Sequence, residues 1–313
     1  MNFIKKSIFI ILVPLFFSFN ARAEVNVVTT IKPLHSLISS VMEGVGKPSL
    51  IIEGTNNPHT FVFKPSHAEM IENADIVFWI GEDLEAFMEK PLESLAKNAK
   101  TISFMDLASI EKLKFREQNI FDDHDEHDGH DDHDDHAGHH DGHNHGEFDA
   151  HIWLDPANAK EMVLEISHEL SELDPSNKSK YEDNASKTIA ALDTLIEEVD
   201  NSLSKDISYI VFHDAYQYFE TRFGVKSAGA LTLNPDVLPG AKQIADIQDI
   251  INDKGIKCIF SEPQYNPKII ETLGNDMNIS TGVMDPLGAY IEAGPSMYGE
   301  LINEIANSIK NCH

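Results

Sequence analysis

Three histidines and one aspartate stand where they could form a metal site. His59 lies in the stretch GTNNPHTF, His151 in FDAHIWLDP, His213 in YIVFHDAYQYFE and Asp285 in TGVMDPLG. Neutral imidazole nitrogens bind Zn²⁺ at about 2.0–2.1 Å, and zinc usually takes four ligands in a tetrahedron. Three imidazoles with a carboxylate or a water would complete that tetrahedron. These four residues are therefore the candidate metal ligands.

A second group of histidines fills an acidic tract between Phe121 and Gly146. The tract has no apolar periodicity, so we predict a disordered insertion. Closely spaced imidazoles suit zinc, copper and nickel, and they would form interchangeable sites of low affinity. The alternative is a charged loop that only keeps the protein soluble. The histidines of the tract are His124, His127, His130, His133, His136, His139, His140, His143 and His145.

The pattern of strands and helices indicates which candidates can meet. Short apolar runs alternate with helical stretches along the chain, which predicts parallel sheets covered on both faces. In such sheets, ligands bind beyond the carboxyl ends of the strands. His59, His213 and Asp285 each follow a predicted strand. His151 reaches the same crevice only if its loop folds towards it, beside a short strand predicted at 152–154.

The alternation runs twice, and a helical stretch without glycine separates the two runs. We therefore predict two α/β lobes with parallel sheets, joined by a long rigid helix, with the metal in the cleft between the lobes. The predicted divisions are a signal peptide at 1–23, an N-terminal lobe at 24–173 that includes the disordered loop 121–146, a linker helix at 174–204 and a C-terminal lobe at 205–313.

The first residues predict export. Lys5 and Lys6 precede an apolar run, and Ala21-Arg22-Ala23 supplies the small residues of a cleavage site. This is the pattern of a secretory signal peptide, with cleavage expected after Ala23. Later apolar stretches are shorter than the roughly 18–20 residues that span a bilayer. We therefore expect an exported, soluble protein.

Charge and cysteine content narrow the function further. The chain has 24 lysines and arginines against 52 acids, for a net charge of −28. Such acidity argues against nucleic acid and anionic membranes as partners, and it suits a cationic ligand. Cys258 and Cys312 are the two cysteines. In an oxidising compartment a disulfide is the default, while a thiolate metal site is the weaker alternative because their spacing fits no zinc motif.

Five motifs together resemble the periplasmic zinc-binding component of high-affinity zinc ABC uptake systems. They are PHTFVFKPS, HIWLDPANAK, VFHDAYQYFE, FSEPQYNP and MDPLG. The resemblance implies zinc bound in the cleft by His59, His151 and His213. It also implies a periplasmic location and delivery to an inner-membrane ABC permease with a cytoplasmic ATPase. A monomer is expected, and the cysteine pair resembles the disulfide of the Gram-negative zinc proteins.

Two positions bear on the metal within this family. Manganese and iron members generally carry glutamate where His213 stands, so His213 favours zinc. Some zinc members have an acid immediately before the first histidine, but here that residue is Pro58. The fourth ligand is therefore expected to be Asp285 or a water.

Other interpretations stay open at this point. One is a manganese or iron carrier, another is a secreted zinc hydrolase, and a third is an extracellular metal buffer or adhesin acting through the tract alone. The hydrolase is disfavoured because HDAY does not fit the H-E-x-x-H pattern of zinc proteases. Glu262 follows a predicted strand, and we expect it to bond loop backbone or face the transporter. His35 is expected to pack or to support the site from behind.

Overall fold

The computed structural model of the chain describes residues 25–121, 146–233, 235, 237 and 239–312. The predicted signal peptide and all nine histidines of the tract lie outside these residues. Within the described ranges, no helix combines the length and apolar character needed to cross a membrane.

The described residues form two four-stranded sheets in which every pairing between named strands is parallel. The first sheet has the order β2-β1-β3-β4 and the second has the order β6-β5-β7-β8. The strands are β1 (Val27–Thr29), β2 (Ser49–Leu50), β3 (Ile76–Trp79), β4 (Lys100–Ser103), β5 (Ser208–His213), β6 (Lys226–Thr232), β7 (Cys258–Ser261) and β8 (Ser280–Val283).

Helices connect the strands of each sheet, as parallel pairing requires. The prediction of two α/β lobes with parallel sheets is confirmed. The α-helices are α1 (Lys32–Val41), α2 (Pro65–Glu72), α3 (Glu82–Glu85), α4 (Glu89–Leu95), α5 (Pro156–Leu173), α6 (Lys178–Ser202), α7 (Gln217–Phe223), α8 (Ala241–Lys254), α9 (Lys268–Met277) and α10 (Met297–Lys310).

The long helix between the two sheets is α6, with 25 residues. At 1.5 Å per residue it is about 38 Å long. It is shorter than the predicted 174–204 because Asp174 forms a turn first, accepting a hydrogen bond from the Asn177 side chain at 2.6 Å. The Asn184 amide donates to the carbonyls of Val41 and Glu43, both at 2.9 Å. These bonds hold α6 against the end of α1.

One local prediction is wrong. Residues Ile152–Leu154 form a short 3-10 helix instead of a strand, and all three side chains are buried. An apolar run of three residues is too short for its pattern to distinguish the two. Residues 82–95 form α3, a 3-10 turn and α4 in succession. Pro91 lies in the first turn of α4, where a missing backbone N–H is tolerated.

The segment that leads into the predicted disordered loop has a defined place in the fold. Phe121 is 4% exposed, and its N–H donates to the Ala228 carbonyl at 3.0 Å. The neighbouring Ile120 pairs antiparallel with Gly229 of β6. A Cβ at Gly229 would lie 2.5 Å from the Asn119 carbonyl oxygen, so this approach requires glycine. A segment of the predicted N-terminal lobe thus extends the sheet of the C-terminal lobe.

Lys32, at the start of α1, links the first lobe to the loop after β8. Its ammonium donates to the carbonyls of Gly288 at 2.9 Å, Ala289 at 2.8 Å and Ile291 at 3.1 Å. Lysine has three N–H donors, and here each has a partner. The side chain is buried, so these contacts are shielded from water.

Arginines add further links between the halves of the chain. Arg116 donates to Asp214 and to Glu220, both at 2.8 Å. Arg222 on α7 donates to both oxygens of Asp155, at 2.6 and 2.7 Å. Paired contacts of this kind fix orientation as well as distance. Together with α6 and Lys32 they hold the lobes in one arrangement.

The predicted disulfide between Cys258 and Cys312 is present, with the Cα atoms 5.6 Å apart. It joins the start of β7 to the chain end after α10. Helix α10 packs against α1 and α6, so the last helix returns to the first lobe. The disulfide therefore ties the second sheet to that returning segment.

Replacing Lys32 with methionine should destabilise the protein. The variant leaves three buried carbonyls without their donor, and we expect the free energy of unfolding to fall by roughly 2–4 kcal/mol. Chemical denaturation followed by circular dichroism measures it. Lys187→Met, on an exposed position of α6, is the control. Equal losses in the two variants would contradict the structural role of Lys32.

Candidate metal centre

Three of the four predicted ligands come together between the lobes. One nitrogen from each of His59, His151 and His213 lies within 4.8 Å of the others. The ring centroids are 5.2 Å apart for His151 and His213, 5.6 Å for His59 and His151, and 5.9 Å for His59 and His213. His151 and His213 are buried and His59 is half-buried. Of the residues that follow predicted strands, His59 and His213 therefore do meet, and the loop of His151 folds towards them.

Different elements position the three imidazoles. His59 lies in the loop between β2 and α2, where its N–H donates to the Asn57 side chain at 2.9 Å. His151 immediately precedes the buried 3-10 turn. His213 is the last residue of β5. The cluster therefore combines two loops of the first lobe with a strand end of the second.

Nε2 of His151 lies 3.3 Å from Nε2 of His213. The other nitrogen of each ring contacts a carboxylate: Nδ1 of His151 lies 2.7 Å from Asp149 and Nδ1 of His213 lies 2.7 Å from Glu262. These contacts assign the proton of each neutral ring to Nδ1. The two Nε2 lone pairs then face one another, and only a proton or a cation between them relieves the repulsion.

Glu262 has a larger role than the sequence indicated. Its Oε1 accepts from the backbone N–H of His213 at 3.3 Å, as expected for a residue bonding backbone, but it also holds the His213 ring. Glu262 is 3% exposed. It directly follows β7, the neighbour of β5 in the sheet. That adjacency could have predicted the pair, but strand order was not available from the sequence pattern.

Asp149 was missed by the sequence reasoning. Its Oδ1 accepts from both the backbone N–H of His151 at 3.0 Å and the imidazole. An aspartate that bonds backbone two residues ahead is a common local motif, so the D-A-H spacing was the available signal. Tyr218 donates to the Asp149 carbonyl at 2.7 Å, which fixes the segment.

Buried charge surrounds the imidazoles. The second carboxylate oxygens of Asp149 and Glu262 are buried and have no hydrogen-bond partner among the described residues. Burial by itself lowers the pKa of His213, but the carboxylates of Glu262, Asp214 and Asp149 together outweigh it, and the pKa is raised. The centre therefore favours positive charge at the point where the rings converge.

Asp285, the predicted fourth ligand, is not brought into the cluster. Its Oδ1 accepts from the Gln264 amide at 2.8 Å and the Leu287 N–H at 2.9 Å. Its Oδ2 accepts from the Ala289 N–H. The carboxylate is engaged in shaping the loop after β8. His35 bonds the Pro48 carbonyl at 3.2 Å, which fits the packing role expected for it.

Two parallel α/β lobes around a buried imidazole cluster give the chain the architecture of a two-lobed solute-binding protein. The family described as "Zinc-uptake complex component A periplasmic" matches residues 27–312. The chain belongs to this family.

Curated relatives and solved structures agree with that assignment. The chain is 46% identical over 303 residues to the high-affinity zinc uptake system protein ZnuA of Brucella abortus (strain 2308), covering 91% of each chain. It is 33% identical to ZnuA of Yersinia pestis over 93% of this chain and 92% of that one. A crystal structure of ZnuA superposes with a TM-score of 0.75 at 21% identity, over 93% of this chain and 99% of that one. At that identity the superposition supports the fold alone.

Replacing Glu262 with glutamine should lower the pKa of His213. The variant keeps the side-chain shape but removes the main charge that opposes the effect of burial, so the His213 pKa in metal-free protein should fall. NMR titration of the ring nitrogens measures it. Glu271→Gln, at an exposed position of α9, is the matched control. An unchanged value in Glu262→Gln would show that the 2.7 Å contact does not govern the ring.

Proposed function

We propose that the protein captures one zinc ion between its lobes through Nε2 of His151 and His213 and a nitrogen of His59. The observation that carries the proposal is the 3.3 Å separation of the two Nε2 atoms. Two nitrogens bound tetrahedrally to zinc lie about 3.3–3.4 Å apart, given zinc–nitrogen distances of 2.0–2.1 Å. The two rings are thus already spaced as a zinc ion would space them.

The fourth position in this proposal belongs to a water. Asp285 is occupied by three donors from its own loop and from Gln264, and the residue before the first histidine is Pro58. A three-histidine site with one solvent ligand is an accepted zinc geometry. A water at the fourth coordination position would also provide a ligand whose replacement can begin the exchange of zinc.

Zinc fits this donor set better than manganese. Imidazole nitrogens suit zinc, whereas carboxylate and water oxygens suit manganese. The carboxylates of Asp149 and Glu262 bond the rings and not the ion, as supporting carboxylates do in zinc sites. They raise the basicity of the imidazoles and compensate the charge of a divalent ion.

We infer from the family and its named relatives that zinc is handed to an ABC permease with its ATPase, from a periplasmic location. The named relatives are components of zinc uptake systems. The buried links between the lobes and the unbroken α6 disfavour wide hinge opening, so we propose local loop motion for release. The histidine-rich tract, outside the described residues, is proposed as an auxiliary collector of low affinity.

Removing the tract's metal-binding capacity should leave one tight site. In a variant with all nine tract histidines changed to serine, we expect one zinc per chain by equilibrium dialysis and metal analysis, because the three cleft imidazoles are untouched. Adding His213→Ala to that variant should abolish the remaining site, and His35→Ala should not. Complete loss of tight binding in the nine-serine variant would instead assign capture to the tract.

Manganese should compete poorly for the remaining site. In the nine-serine variant, a competition titration followed by isothermal calorimetry should show that a large excess of manganese leaves zinc binding nearly unchanged, because an imidazole set prefers zinc. Magnesium serves as the control for ionic strength. Displacement of zinc by manganese at comparable concentration would overturn the choice of metal.

A further inference from the structure

Cavities flank the imidazole cluster on two sides. The first, which we call the side cavity, is lined by the three histidines together with Asp83 and Gly146. The second lies towards the loop after β8. Each of them offers a route for an ion that exchanges with the cluster.

The second cavity is closed by hydrogen bonds that cross its wall. Trp153 donates from its indole to the Pro286 carbonyl at 2.8 Å, which joins the two lobes. Gln264 donates to Asp285, also at 2.8 Å. Glu262, which lines the same cavity, is held on the His213 ring. Opening this side would break buried polar contacts that also position the cluster.

The side cavity has a different wall. Apart from the histidines, Gly146 and Asp83, the described residues that line it are apolar, such as Phe115 and Phe148. Asp83 supplies the one carboxylate of this described lining. Asp83 lies in α3, just beyond the carboxyl end of β3, and is half-buried. An apolar wall is unfavourable for a partly dehydrated cation. A carboxylate within it lowers the energy of the ion in transit.

Gly146 brings the backbone close to this carboxylate. Its N–H donates to Asp83 Oδ1 at 3.0 Å. A Cβ at position 146 would lie 2.1 Å from Asp83 Oδ2, so no other residue fits without displacing one of them. Gly146 is also the residue at which the chain continues after the nine-histidine tract. This hydrogen bond involves Oδ1 of Asp83, and it leaves the second carboxylate oxygen available.

We propose that zinc enters and leaves the cluster through the side cavity, and that Asp83 is the carboxylate that binds it in passage. The proposal rests on the proposed function, since it concerns exchange at the same three histidines. Asp83 acts on the ion in transit and not on the ion at rest. Loss of the Asp83 carboxylate therefore raises the energy barrier for both zinc entry and zinc release. The equilibrium affinity of the cluster for zinc stays unchanged.

The test compares zinc exchange rates of the full chain with those of Asp83→Asn. The amide keeps the shape and can still accept from Gly146, so only the charge is lost. The Trp153 ring lies 5.2 Å from that of His151, and its fluorescence in a stopped-flow instrument reports capture at the cluster. Release is followed by mixing the zinc-loaded protein with a chelator. We expect both rates to fall by about tenfold with an unchanged dissociation constant.

Two variants control for other causes. Glu82→Gln removes the same charge from the adjacent exposed residue and should exchange zinc at wild-type rates. Asp83→Glu restores the carboxylate and should recover most of the rate. Wild-type rates in Asp83→Asn, equal slowing in Asp83→Glu, or a changed dissociation constant would each overturn the proposal.

A separate observation tests the function on which the proposal rests. The fluorescence phase that corresponds to one zinc per chain should be absent from His213→Ala. If that phase persists in His213→Ala, the three-histidine site itself is wrong, whatever Asp83→Asn does. If it is absent and Asp83→Asn exchanges normally, the site stands and the route past Asp83 is rejected.

Discussion

The structure depends on one constraint, which is that two imidazoles from different lobes approach to 3.3 Å through their Nε2 atoms. Asp149 and Glu262 enforce it by bonding the opposite side of each ring. Neutral rings in this arrangement repel one another, so the centre is favourable only with a positive charge between them. The protein therefore holds, in a buried place, a geometry whose natural occupant is a cation.

Such a geometry requires that the lobes do not drift apart. His151 belongs to the first lobe and His213 to the second, so a small change in lobe position would change their separation directly. Lys32, Arg116 and Arg222 each link segments far apart in the sequence through buried or half-buried charged groups. Breaking such contacts leaves buried charges and carbonyls unsatisfied, which is costly. Buried or half-buried polar contacts thus fix the positions of the lobes, as they fix the positions of the rings.

The sequence predicted much of this arrangement, and its failures have physical causes. Alternating strands and helices predicted the two parallel sheets, and the rule on strand ends selected His59 and His213. Asp285 satisfied the same rule but is turned to its own loop, because nearby backbone N–H groups and Gln264 compete for its oxygens. The carboxylates that bond the two rings were not predicted either. Glu262 reaches His213 because of the order of strands in the sheet, and Asp149 reaches His151 through a tight local turn. Neither is visible in the spacing of residue types alone.

Charge balance explains why the centre suits a divalent ion in particular. The two supporting carboxylates each have an oxygen that is buried and without a partner among the described residues. Three neutral imidazoles leave their two negative charges uncompensated, and an ion of charge +2 neutralises the whole centre. A monovalent ion would leave a buried negative charge and a trivalent ion a buried positive one, and either is unfavourable in a low dielectric. The two supporting carboxylates thus favour a divalent occupant, and the nitrogen donors favour zinc among divalent ions.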